Sequence, residues 1–432
     1  MQLVDYNPAK LNEAIFGMEA MYKHRKENPK SKSDELYYEL LLKFLVRFTT
    51  ATEKGNYRVG GGAFTPSEIL AAMDIVLYPA LPVAGIVANP LSLRQDMFNA
   101  ALEIGLPVAV CSAQRMWAGA IALGYIPSPD IIVDTTHTCD DSLSGRLIAD
   151  ILDVPSYRID RPLIYTEDAV RYYMAELQGF IHFLEDKTKR KLDWDRLKQA
   201  VEYSRQVDEI KKDIAEMRKA VPTPMRNRQM VSMEIVDFYW TGYPEAVEFY
   251  NVLRDELRER VDIGKGGIPE ERLRLLCFNL PPTHALKLLD WWEKDWGAVS
   301  IGEPLFTNMY RASELDPEKP LESLARKDFL GFCNCMYAPG EMLIEDCVRF
   351  AKDYKVDGGV WYAPVACRAN DAMIGMVTDA LQKRGGIPIA AFDCDYMDPA
   401  HASEEQLRER TAVFFEMLQD RKAVRGKGSE AV

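Results

Sequence analysis

Asp130-Ile-Ile-Val-Asp-Thr-Thr-His-Thr-Cys-Asp140 is the stretch from which the fold of this chain can be read. An apolar strand runs through Val133, polar residues gather at its carboxyl end, and Cys139 stands where a helix is about to begin. Two other segments repeat the design. Pro107-Val-Ala-Val-Cys111 precedes a helical run starting near Gln114, and Asp357-Gly-Gly-Val-Trp-Tyr-Ala-Pro-Val-Ala-Cys367 precedes one starting near Asp371. In parallel α/β sheets, ligands sit outside the carboxyl ends of the strands. Cys111, Cys139 and Cys367, distant in sequence, are therefore expected to converge, and we read them as ligands of an iron–sulfur cluster.

The composition narrows the class. With 432 residues, 47% of them hydrophobic and 28% charged, the chain has the length of two to three globular domains. The net charge is −13, with no Lys/Arg stripe interleaved with aromatics. That argues against nucleic acid, whose phosphates need a basic footprint, and against an anionic membrane surface. The amino terminus, Met-Gln-Leu-Val-Asp-Tyr-Asn-Pro, lacks a basic run followed by an apolar one, and no stretch approaches 18 consecutive apolar residues. A cytoplasmic protein without a membrane span is expected. Its eight cysteines then read as thiols or metal ligands. None forms Cys-x-x-Cys, which sets aside zinc ribbons, thioredoxin motifs and local ferredoxin-type runs.

Along the chain, residues 1–55 read as N-terminal helices, Tyr38 to Val46 being apolar at helical spacing. Residues 56–164 form a first α/β domain. Its opening stretch, Asn56 to Pro66 with Gly60-Gly-Gly62, is expected to be a flexible glycine-rich loop; it is not a P-loop, since no Gly-Lys-Ser/Thr follows. Pro66-Ser-Glu-Ile then opens a helix, and strands are expected at 74–78, 107–110, 130–133 and 156–159. Residues 165–265 read as a helical insert of segments 165–184, 194–219 and 243–261, broken at Pro222-Thr-Pro224. A second α/β domain spans 266–423, with strands expected at 274–280, 298–301, 359–362 and 387–392 and a last helix at 404–419. A disordered tail is expected at 424–432. The fold class is α/β: two parallel-sheet domains, a helical insert and N-terminal helices. The like order of elements in the halves suggests an internal duplication.

A [4Fe-4S] cubane takes cysteine thiolates as ligands, and three of them leave one iron open, as catalytic metal sites do. Helices starting just after the three cysteines would direct N–H groups and positive dipole ends at an anionic cluster. The competing reading of each cysteine alone is a small buried core residue. His137 and Asp140 flank a candidate ligand and can handle protons, or hydrogen-bond the cluster sulfurs. Cys277 lies in an apolar strand and reads as core. Cys333, Cys335, Cys347 and Cys394 leave a second cubane arithmetically open, since a double cubane needs six cysteines. The Trp291-Trp292 pair reads as core packing.

Several motifs carry a family likeness: Pro66-Ser-Glu-Ile-Leu-Ala-Ala-Met-Asp-Ile75, Val110-Cys-Ser112, Thr138-Cys-Asp140, Glu245-Ala-Val-Glu-Phe-Tyr with Gly264-Lys-Gly266, Leu315-Asp-Pro-Glu-Lys-Pro-Leu321, Val356-Asp-Gly-Gly-Val360 with Cys367, and Asp393-Cys-Asp-Tyr-Met-Asp-Pro399. In these the chain resembles the 2-hydroxyacyl-CoA dehydratase/benzoyl-CoA reductase family, and within it the B-type subunit of ATP-dependent benzoyl-CoA reductase. The resemblance covers nearly all of the chain from about residue 56. It implies two flavodoxin-like domains with the cluster between them, bound by Cys111, Cys139 and Cys367. It also implies single-electron, ketyl-radical reduction of an acyl-CoA or aryl-CoA thioester in an anaerobic setting. The implied partners are a related second subunit (or a second copy) and a separate ATP-hydrolysing iron–sulfur activator. Tyr78-Pro-Ala-Leu-Pro82 departs from the Tyr-Pro-Glu-x-His of many dehydratases, which favours the reductase side over 2-hydroxyacyl-CoA dehydration. Two further alternatives are a double-cubane reductase of small molecules and a non-catalytic α/β scaffold subunit.

Overall fold

The computed structural model describes residues 3–62, 64–80, 94–136, 139–304, 315–330 and 340–429. Its chain folds as two compact units, one of residues 1–211, 232–256 and 309–334, the other of 212–231, 257–308 and 335–432. Each contains a four-stranded sheet that is parallel throughout. The first sheet is built from β1 (Arg58–Gly61), β2 (Val76–Pro79), β3 (Ile131–Thr135) and β4 (Ser156–Ile159), in the order β2-β1-β3-β4. The second consists of β5 (Leu273–Cys277), β6 (Ala298–Gly302), β7 (Gly358–Pro364) and β8 (Ile389–Cys394), in the order β6-β5-β7-β8. Counted from its own first strand, each half has the same order.

The two sheets also begin alike. The Arg58 N–H donates to Asp130 Oδ2 at 2.7 Å, and the Asp130 N–H donates back to the Arg58 carbonyl at 2.9 Å. In the second sheet the Arg274 N–H donates to Asp357 Oδ2 at 2.9 Å, and the Asp357 N–H to the Arg274 carbonyl at 2.8 Å. An aspartate ahead of the third strand thus fixes the register of the first. Strands β3, β5, β6 and β7 are buried at every position, as parallel strands covered on both faces should be.

Helices cover the sheets by presenting apolar faces at helical spacing. In the helix Glu167–Thr188 the buried residues are Ala169, Val170, Tyr173, Leu177, Phe180, Ile181, Leu184 and Thr188. The Thr166 hydroxyl caps it by accepting from the Ala169 N–H at 3.1 Å. The insert has four long helices rather than the three expected: Glu167–Thr188, Trp194–Met217, Asn227–Trp240 and Pro244–Asp262. Asn227–Trp240 escapes a reading by periodicity because its apolar residues are spread around the helix.

Three local expectations are corrected. The glycine run at 60–62 is not simply a flexible loop, since Gly60 and Gly61 belong to β1, which pairs with both β2 and β3. A Cβ at Gly60 would stand 2.7 Å from the Trp117 ring, so glycine here lets an indole lie on the sheet. Residues 107–110 are not a strand. Pro107 has no N–H to give, and the Val110 N–H bonds back to the Pro107 carbonyl at 3.0 Å, closing a turn. The last helix runs Glu404–Ser429, past residue 424 where a disordered tail is expected from the sequence.

Candidate metal centre

Cys111 is the residue from which the helix Ser112–Ala122 starts. That helix is buried at all eleven positions, its small residues letting neighbours come close and its Trp117 and Met116 filling the space around them. A Cβ on Gly119 would fall 1.9 Å from the Met97 carbonyl of the adjoining helix Arg94–Glu103. Both main-chain groups of Cys111 are engaged. Its carbonyl accepts from the Arg115 N–H at 3.0 Å, and its N–H donates to Asp140 Oδ2 at 3.0 Å. Asp140 follows Cys139 and is the cap residue of the helix Asp141–Leu152, so one carboxylate joins the loops of two candidate ligands. Both cysteines are half-buried, within reach of a ligand yet sheltered from bulk water.

Cys367 is held differently. It follows β7, and its N–H donates to the Pro364 carbonyl at 2.7 Å while its own carbonyl accepts from the Asp371 N–H at 3.0 Å. It is also half-buried, and begins the one-turn helix Arg368–Asp371, ahead of Ile374–Gly385. The Trp361 indole N–H, from within β7, donates to the Asn370 side-chain oxygen and anchors this turn to its sheet. Burial, and then the nearby Asp393 carboxylate, push the Asp371 carboxyl up to about 6. Its Oδ1 is buried without a hydrogen-bond partner.

The remaining cysteines divide. Cys277 is fully buried in β5, with its thiol 2.9 Å from the Asn279 carbonyl, as expected of a core residue. Cys347 lies in the second unit's apolar core beside Leu343, Phe350 and Trp361. Cys394 ends β8, and burial, then Asp395, Asp371 and Asp393, push its thiol up. His137, Cys333 and Cys335 lie outside the described residues. Cys111 and Cys139 belong to the first unit and Cys367 to the second. Among the described residues no group of three or more His, Cys, Asp or Glu side chains is disposed to hold a metal ion.

Sequence reading missed a buried ionic cluster in the first unit. Glu68, at the start of the helix Ser67–Ala72, pairs with Lys327 at 2.6 Å and accepts from the Ser204 hydroxyl at 2.7 Å. Burial raises the Glu68 carboxyl, but the Lys327 ammonium and these hydrogen bonds outweigh it and hold it below the ordinary range. Burial pushes the neighbouring Asp208 up to about 6, with Lys327 and Lys211 opposing and Asp237 and Glu68 assisting. The only sequence signal was Glu68 itself, in a motif that reads equally well as a helix start.

Two parallel sheets of like order, with candidate cysteine ligands at helix starts, two of them following β3 and β7, define an α/β protein of the open-sheet class. Residues 63–418 match the family described as 2-hydroxyglutaryl-CoA dehydratase, D-component, and the chain belongs to that family. It is 22% identical over 412 residues to the (R)-phenyllactyl-CoA dehydratase alpha subunit of Clostridium sporogenes, covering 90% of this chain and 96% of that one. To the B-type subunit of benzoyl-CoA reductase from Thauera aromatica it is 23% identical over 413 residues, covering 87% and 92%. To the alpha subunit of (R)-2-hydroxyglutaryl-CoA dehydratase from Acidaminococcus fermentans it is 23% identical over 318 residues, covering 70% and 63%. These relatives are enzyme subunits, and the family likeness drawn from the motifs is borne out. No helix of the described residues is long and apolar enough to cross a membrane.

Proposed function

We propose that this chain is the iron–sulfur subunit of an ATP-driven, activator-dependent cytoplasmic enzyme acting on acyl-CoA thioesters, of the benzoyl-CoA reductase type. Cys111, Cys139 and Cys367 hold its [4Fe-4S] cluster, and a related second subunit completes it. When bound, the cluster supplies low-potential single electrons to a thioester carbonyl, the ketyl-radical chemistry that the family likeness implies. The observation carrying this reading is that β3 and β7, corresponding strands of the two halves, each lead into a half-buried cysteine at a helix start. The donors fit the group in kind: three thiols of intermediate exposure, none in a disulfide.

A 2-hydroxyacyl-CoA dehydratase subunit is the second reading. The phenyllactyl-CoA dehydratase and benzoyl-CoA reductase likenesses, 22% and 23%, do not separate the two. A double cubane fares worse. Setting aside Cys277, Cys347 and Cys394 as core thiols leaves five of the eight cysteines, one fewer than it needs.

The test is anaerobic assay with activator and ATP, offering benzoyl-CoA and a 2-hydroxyacyl-CoA side by side. Consumption of benzoyl-CoA alone is the expected result. Dehydration alone selects the second reading. Turnover of neither by an iron-free protein supports a scaffold subunit and overturns both.

A further inference from the structure

Asp140 occupies a helix start where an aspartate ordinarily accepts from the N–H groups of its own first turn. Its side chain makes no such cap bond. The carboxylate reaches instead to another loop, where Oδ2 accepts the Cys111 N–H at 3.0 Å. The Asp140 main chain still opens the helix, its carbonyl accepting from the Leu143 and Ser144 N–H groups at 3.1 and 3.0 Å. The residue thus forgoes the local bond its position offers for one 29 positions away in sequence. With the Cys111 carbonyl bound by the Arg115 N–H, that bond engages the second of the cysteine's two main-chain polar groups. The helix behind it is closely packed, with Gly119 against the Met97 carbonyl and Trp117 against Gly60.

We propose that Asp140 is a positioning residue that holds Cys111 in register with Cys139, making them a pre-ordered pair of ligands within the first unit. Metal sites depend on such outer contacts to orient the ligands themselves. The main-chain bonds of Cys367 run instead within its own turn, to Pro364 and Asp371. The inference rests on the iron–sulfur reading above for what the pair would bind, but the tie itself is measurable without iron.

The experiment compares full-length wild type with Asp140→Ser and Asp140→Asn. Serine remains a good helix cap but is too short to reach Cys111, whereas asparagine keeps an acceptor oxygen at the same reach without the charge. Two quantities are read: hydrogen exchange of the Cys111 amide in the iron-free chain, and iron bound per chain after anaerobic reconstitution. Asp140→Ser should speed exchange at Cys111 by about tenfold or more, the scale of a lost hydrogen bond to a charged group, and lower iron uptake. Asp140→Asn should restore both towards wild type. Unchanged exchange in Asp140→Ser overturns the proposal, as does faster exchange with iron uptake intact. Failure of Asp140→Asn to rescue overturns it too. Wild type that binds no iron, yet shows the exchange difference, sinks the iron–sulfur reading and with it the ligand role, while leaving the tie standing.

Discussion

In the first half, the Asp140 carboxylate accepts the Cys111 N–H and so ties the loop of Cys111 to that of Cys139. In the second half, Cys367 is held by main-chain bonds within its own turn, to Pro364 and Asp371. Around these loops the sheets run in the same order and start with the same bond, an arginine main-chain N–H donating to an aspartate carboxylate. The scaffold repeats and the fastening of the cysteines does not. A duplicated frame can therefore hold its helix-start cysteines in different ways in its two halves without change to the sheets.

The buried charges give the sharpest way to break this comparison. In the second half Arg218 meets Glu303 through two 2.7 Å bonds, and both are almost fully buried. Glu303→Leu should cost about 3–5 kcal/mol, because a guanidinium is left buried without its carboxylate. Lys327→Met in the first half should cost less, about 2–3 kcal/mol: the lysine side chain is 24% exposed, and Glu68 retains the Ser204 hydroxyl. Urea unfolding, followed by probes in each half, checks both values, and a reversed ranking would break the contrast.

The shared strand start predicts equality instead. Asp130→Ala and Asp357→Ala should each cost about 1–2 kcal/mol, the loss of an acceptor for a main-chain N–H. The exposed Lys422 partner of Asp357 should add no more than about 0.5 kcal/mol. A large inequality under the same unfolding assay would mean that the two starts are alike in geometry only.

The smallest effect is a gain. Asp208 has a folded pKa of about 6, above the ordinary 3.8, so the folded state favours its protonated form. That contribution is complete below about pH 4 and is lost as pH rises through about 6. Asp208→Asn, which is neutral at every pH, should therefore stabilise the protein by about 1 kcal/mol at pH 7.5, and the gain should fade towards pH 4. Melting temperatures across that range would show it, and a gain independent of pH would contradict it.

Much of this was legible in the sequence. The strands β3, β5, β6 and β7 announce themselves as apolar runs because both their faces are covered. The strand β1 does not, since Gly60 and Gly61 weaken every local strand signal, and the reason for a glycine, the Trp117 ring, lies far along the chain. Pro107 to Val110 looks like a strand by composition, but a chain turn set by one hydrogen bond overrides it. Element order suggested a duplication; the like strand order needed the structure. At the site, the cysteines and their helix starts could be read locally. The reach of Asp140 to Cys111 could not, nor could the pairing of Glu68 with Lys327, 259 residues apart. Such bonds depend on tertiary approach, to which local pattern is blind.

Iron and acid-labile sulfide, counted per chain after anaerobic purification, test the central claim most directly. They should be measured in wild type, in Cys111→Ser, Cys139→Ser and Cys367→Ser, and in Cys277→Ala and Cys347→Ala as core controls. About four of each are expected in wild type and in both controls, with loss in all three serine variants. Iron content left untouched by any one of those three replacements would contradict the claim.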